Sequence, residues 1–149
     1  MLPYGHQSID DSDVEAVTRV LRGDWLTTGP AVAEFEEALQ AYVKAPRVVT
    51  ATSGTAALHM AYAALGVGPG DEVVTTPMTF VATASCATAL GATVRFADIE
   101  PDTANIDPDA VEALLTERTK VVAPVDYAGQ PAAIDAINEL AHSRGIVTV

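Results

Sequence analysis

Over the opening third of the chain, apolar side chains recur at helical spacing. From Ser12 onward Val14, Val17 and Leu21 share one face, Ser12 and Glu15 stand at capping-box spacing, and Gly23 supplies a stop. A second helix is predicted after Gly29-Pro30, where proline suits a first turn, with Val32, Phe35, Leu39 and Tyr42 repeating along it. Between the two, "GDWLTTG" reads as a short polar loop that carries the only tryptophan, Trp25.

Beyond that point the pattern changes to alternation. Short β-branched runs at Val48 to Thr52, Glu72 to Thr76, Thr93 to Ala97, Lys120 to Val125 and Ile146 to Val149 are separated by helical stretches centred near Leu58, Ala84, Val111 and Ile137. Such spacing predicts successive βαβ units and a largely parallel sheet with flanking helices, an α/β fold. The punctuation agrees. "GVGPGD" ends one helix, Asp107-Pro108 and Gln130-Pro131 have the form of helix starts, and Gly91 and Gly145 of helix stops. With no repeat, linker or low-complexity tract, one compact unit is the simplest organisation for 149 residues.

Composition narrows the function classes. Apolar residues make up 49% of the chain, which argues against disorder. Eight basic against 20 acidic side chains give a net charge of −12, which repels a nucleic-acid backbone or an anionic membrane surface. No apolar run approaches the roughly 20 residues that span a bilayer. A single cysteine, Cys86, cannot form an internal disulfide, and no charged-then-apolar leader opens the chain. These features fit a reducing, cytoplasmic setting.

In an open α/β sheet, ligands gather where strands end and helices begin, because helix N-termini present unpaired N–H groups there. At "TSGTAA" the small residues let an anion approach the backbone, and Ser53 and Thr55 add hydroxyls. A phosphate suits this junction, although it matches neither a dinucleotide fingerprint nor a P-loop, and an ordinary N-cap reads as well. At "TTPMTFVATAS", Phe80 is placed to stack on a planar heterocycle or simply to fill the core. The acidic stretch "FADIEPDTANIDP", with Asp98 and Asp107, is conceivable for a metal but favours a solvated loop, as no histidine lies nearby. Asp126 in "VAPVDYAGQPA" reads most simply as a helix cap. His6, His59 and His142 lack ligand spacing, Ser53 lacks a nucleophile-elbow context, and Cys86 sits among alanines, so neither a metal site nor a nucleophile emerges.

The run from "TSGTAALHMAYAALGVGPGDEVVTTPMTF" through "FADIEPDTANIDP" to "VVAPVDYAGQPAAIDAI" resembles the pyridoxal-phosphate-dependent sugar aminotransferases of the DegT/DnrJ/StrS group. The opening "LPYGHQSIDDSDVEAVTRVLRGDWLTTGPAVAEFEEAL" is similar to their usual N-terminus, so the resemblance covers essentially the whole chain. It implies the aspartate aminotransferase fold, that is, the large domain of a fold type I PLP-dependent transferase. Residues 1–149 would be its N-terminal part, a helical segment over about 1–45 followed by βαβ units over about 46–149.

The same resemblance implies site residues. Gly54, Thr55 and Ala56 would hold the phosphate of pyridoxal 5'-phosphate, mainly through the Thr55 and Ala56 backbone. Phe80 would stack on its ring, and Tyr4, Trp25, Thr27 and Thr28 match segments that approach substrate. The "DYAGQP" variant is closer to members that aminate C4 of a nucleotide-linked 4-keto hexose with glutamate as donor, and relatives are homodimers. The resemblance also implies that the lysine carrying the cofactor and the aspartate pairing with its pyridinium nitrogen lie past Val149. No catalytic residue is therefore assigned here. Lys44 and Lys120 are not expected to substitute, and the isolated chain is expected to be inactive. A phosphate- or nucleotide-binding module without catalysis, and a regulatory partner of a full-length aminotransferase, stand as alternatives.

Overall fold

The structure, a computed structural model, describes residues 5–149. The chain divides into two compact units, Met1–Thr50 and Ala51–Val149.

In the first unit, helix α1 covers Asp11–Leu21 and helix α2 covers Pro30–Val43. The cap of α1 differs from the one predicted. Asp10, not Ser12, is the N-cap: its carboxylate accepts the N–H groups of Ser12 and Asp13, while the Asp13 carboxylate accepts the N–H of Asp10. Aspartate caps as well as serine does, so two candidates two residues apart compete, and the one with a reciprocal partner three residues on wins. Helix α2 begins as expected, with Gly29 as N-cap and Pro30 in the first turn. Its glycine is needed because a Cβ there would stand 2.9 Å from Trp25 Cβ and 3.0 Å from the Trp25 carbonyl oxygen.

Neither helix buries a side chain within the described residues; Val14, Val17 and Leu21 of α1 and Val32 and Phe35 of α2 are exposed. The predicted strand over Val48 to Thr52 is not formed. Thr50 instead donates both its N–H and its hydroxyl to Glu36 Oε1 of α2, each at 2.8 Å. A backbone donor committed to a side chain is lost to a ladder.

In the second unit the elements run α3 (Gly54–Ala64), β1 (Glu72–Thr75), α4 (Ala82–Ala89), β2 (Thr93–Phe96), α5 (Pro108–Leu114), β3 (Thr119–Ala123), a 3-10 turn at Tyr127–Gly129, α6 (Ile134–His142) and β4 (Val147–Thr148). The strands form one sheet in the order β2-β1-β3-β4, and every pairing is parallel. The helix starts at Ser53 and at Asp107-Pro108 agree with the sequence, each with its side chain accepting a backbone N–H. Gln130-Pro131 does not start a helix. Both of its carbonyls accept hydrogen bonds from the Asn105 side chain, and α6 begins only at Ile134.

Successive strand residues face opposite layers. Val73, Val121 and Ala123 pack with Tyr62 of α3 and with Ala82, Cys86 and Ala87 of α4. Val74 and Val122 pack with Val111 of α5 and with Ile137 and Ala141 of α6, together with Ile106 and Ile146. Strands covered on both faces must be apolar on both, which is why they read as continuous runs rather than alternating ones. Full burial of each such valine or isoleucine contributes about 1.5–3 kcal/mol.

Candidate functional site

The strand order sets where a ligand can sit. Strand β1 leads through α4 to β2 on one side, whereas β3 leads through α6 to β4 on the other, and α4 and α6 cover opposite faces. The connections therefore diverge between β1 and β3, the kind of switch point at whose carboxyl ends open α/β sheets take ligands in a crevice. Thr75 and Ala123 close its floor through a bond of 2.7 Å from the threonine hydroxyl to the alanine carbonyl. Thr76, also buried, accepts the Met78 N–H at 3.2 Å and turns the chain toward Phe80.

Helix α3 brings its N-terminus to the same edge. Its C-terminal end is fixed at the opposite edge, where Lys120 Nζ, early in β3, donates to the Gly66 carbonyl (2.7 Å) and to the Asp71 carboxylate (3.1 Å). An α-helix of 11 residues is about 16 Å long, enough to run back along a strand of about 13 Å. The first turn of α3 rests on α4, where Cys86 Sγ donates to the Thr55 carbonyl at 3.4 Å. In that turn Ser53 Oγ accepts the Ala56 N–H (3.1 Å) and the Ser53 carbonyl accepts that of Ala57 (3.0 Å). The N–H groups of Gly54 and Thr55 have no acceptor among the described residues. No acidic side chain stands in the turn, and nothing lies within 4 Å of where a Gly54 Cβ would be. Two amides without an acceptor at the positive end of a helix dipole are the arrangement that favours an anion.

Phe80 lies at the start of α4, its carbonyl accepting the Thr83 N–H and its ring 74% exposed. Gly54, Thr55, Ala56 and Phe80 thus share one unit and one edge of its sheet. Trp25, Thr27 and Thr28 belong to the first unit, in the loop between α1 and α2. There Trp25 is exposed and lines an open groove of about 320 Å³ with Arg19, Asp24 and Glu34, and Thr28 takes a left-handed backbone with φ 50°. Tyr4 lies outside the described residues.

The acidic stretch after β2 is committed to local bonds. Asp98 accepts the Ile99 N–H, Asp107 caps α5, and Glu100 accepts the Thr103 hydroxyl. Asp126 caps no helix. Its Oδ1 accepts the Ala132 N–H across the loop at 2.9 Å. The residue that sequence reasoning missed is Asn105, which is buried with its amide bonded to the loop after β3. Nothing local marks it, since its partners lie 22 to 26 residues away.

The family model for DegT/DnrJ/EryC1/StrS aminotransferases matches residues 7–149. The chain belongs to this family. It is 46% identical over 145 residues to the spore coat polysaccharide biosynthesis protein SpsC of Bacillus subtilis, which is 97% of this chain and 37% of that protein. To the UDP-4-amino-4-deoxy-L-arabinose–oxoglutarate aminotransferase of Shewanella sediminis it is 45% identical, over 93% of this chain and 36% of that one. Among solved structures, a sugar aminotransferase of Streptococcus pneumoniae in its PLP form superposes with a TM-score of 0.90 at 38% identity, over 96% of this chain and 36% of that one. Helicobacter pylori PseC, an aminotransferase of pseudoaminic acid biosynthesis, gives a TM-score of 0.90 at 33% identity, over 98% of this chain and 40% of that one. The chain thus spans a little over a third of the length of the curated family members it matches.

Proposed function

We propose that these residues are the N-terminal part of the cofactor-binding large domain of a PLP-dependent aminotransferase that aminates a nucleotide-linked keto sugar. Glutamate would be the amino donor and C4 of a 4-keto hexose the carbon aminated. The observation that carries this reading is the pair of free N–H groups on Gly54 and Thr55, on an acid-free first turn beside the crevice of a chain in this family.

The residues fit the cofactor. Its phosphate would be taken by the Gly54 and Thr55 amides at the start of α3, with Ala56 held in place behind them by Ser53 Oγ. The exposed ring of Phe80 offers a flat apolar face for the heterocycle. When bound, PLP supplies the electron sink through which an amino group leaves one carbon skeleton and joins another. Tyr4, Trp25, Thr27 and Thr28 would approach the sugar nucleotide. Lys120 is held at the far edge of the sheet by Gly66 and Asp71, so it does not serve the crevice. These 149 residues by themselves would accordingly bind the cofactor without turning over substrate. The whole protein would act as a cytoplasmic homodimer.

The test is equilibrium dialysis with PLP. Saturable binding competed by inorganic phosphate is expected. Gly54→Pro should weaken it about tenfold or more, because proline suits a first helical position but removes one N–H that bonds a charged group. Gly54→Ala should fold and keep that N–H. Saturable binding of UDP alone, indifferent to PLP, would overturn the reading in favour of a nucleotide module.

A further inference from the structure

We propose that Asn105 is a positioning residue that holds the loop after β3 as a fixed wall of the ligand crevice. Its side chain is 1% exposed and reaches from the segment after β2 to the connection between β3 and α6. Oδ1 accepts the Tyr127 N–H at 2.9 Å, and Nδ2 donates to the carbonyls of Gln130 and Pro131, both at 3.0 Å. Both amide hydrogens are therefore used, and the opposite assignment of O and N would set a donor against the Tyr127 N–H.

The loop it holds does not keep its shape through local bonding alone. Ala128 (φ 53°) and Gly129 (φ 82°) are consecutive left-handed residues, and an alanine stays there only where its surroundings fix it. Asn105 clamps both flanks of this pair, and Asp126 closes the base through the Ala132 N–H. The clamp is itself built in. Asn105 donates its N–H to Thr103 Oγ1, its carbonyl accepts the Glu100 N–H, and Ile99 bridges Ile106. The acid-rich stretch thus serves as the frame of an amide clamp.

The loop leaves β3 at the point where the connections diverge, with the Tyr127 side chain partly exposed. A wall there meets the organic body of a ligand, while the amides of α3 meet its phosphate. The inference rests on the cofactor reading above. It predicts a split: loosening the loop weakens PLP and spares inorganic phosphate.

The experiment compares Asn105→Ala with the unmodified protein by amide hydrogen exchange at Tyr127 and by dialysis with PLP and with inorganic phosphate, folding being checked by circular dichroism. Faster exchange, a tenfold or greater loss of PLP affinity and unchanged phosphate affinity are expected. Gly129→Ala, which strains the same loop from its exposed side, should give the same split and serves if Asn105→Ala does not fold. Unchanged PLP affinity, or a parallel loss of PLP and phosphate, overturns the inference alone. Absence of PLP binding in the unmodified protein overturns the cofactor reading and this inference with it.

Discussion

The hydroxyl of Thr75, last residue of β1, donates to the carbonyl of Ala123, last residue of β3, across 2.7 Å in a fully buried position. Thr75→Val keeps the shape and deletes the donor, leaving a buried acceptor short of a partner. A loss of about 1–2 kcal/mol in urea unfolding is expected, with Thr75→Ser close to the unmodified protein. A neutral valine would show that this bond does not tie the two strands.

At the other edge of the sheet, Glu72 is buried at 3% exposure. The Thr116 hydroxyl first, then Arg118 and Arg95, hold its carboxyl below the usual value near 4.5, against burial, which raises it. A group with a depressed folded-state pKa contributes stability above its unfolded value and loses it as pH falls through the folded one. Melting temperatures taken from neutral pH down to about pH 3 should therefore fall more steeply in the unmodified protein than in Glu72→Gln. Parallel acid limbs would remove Glu72 from the account.

Tyr62 behaves in the opposite sense. Burial, and next the neighbouring Cys86, push its phenol up to about 12 from 10.0, while its hydroxyl donates to the Thr83 carbonyl at 3.0 Å. A raised folded-state pKa gives stability that is complete below about pH 10 and is lost as pH climbs toward 12. Ultraviolet titration should find a tyrosine, missing from the titration of Tyr62→Phe, that resists ionisation until the protein unfolds. Tyr62→Phe should cost about 1 kcal/mol at neutral pH and flatten the alkaline decline.

Gly29 and Trp25 lie too close for any larger residue. Gly29→Ala would press a methyl against Trp25 Cβ and its carbonyl, neither of which can swing away. A destabilisation of about 1–3 kcal/mol in the first unit is expected. It should be accompanied by a shift in fluorescence from the only tryptophan. Unaltered emission and stability would mean that the loop yields freely.

What could be read from the sequence was what short-range chemistry decides. Ser53 and Asp107-Pro108 announce their helices because a cap needs only the next three residues, and the four strands of the sheet follow from β-branched runs. The misreadings have two causes, a contest between neighbouring caps in the first and distant side chains in the others. Asp10 displaced Ser12 through a reciprocal bond with Asp13, Val48 to Thr52 lost a donor to Glu36, and Gln130-Pro131 surrendered its carbonyls to Asn105. In the last two, a side chain more than ten residues distant claims backbone groups that the local pattern assigns elsewhere. The junction at Gly54 to Ala56 was legible as a capped helix start, whereas the frame around the loop after β3 depends on side-chain bonds that no spacing rule encodes.

Strand β1 lies between β2, which follows it closely, and β3, whose Ala123 stands 48 residues beyond Thr75. As the polypeptide leaves the ribosome, β1, α4 and β2 can join at once, but one face of β1, Val74 included, stays bare until α5, β3 and α6 have been made. The nascent protein therefore passes through an interval with a sticky, half-covered sheet, the stage at which chaperones have most to grip.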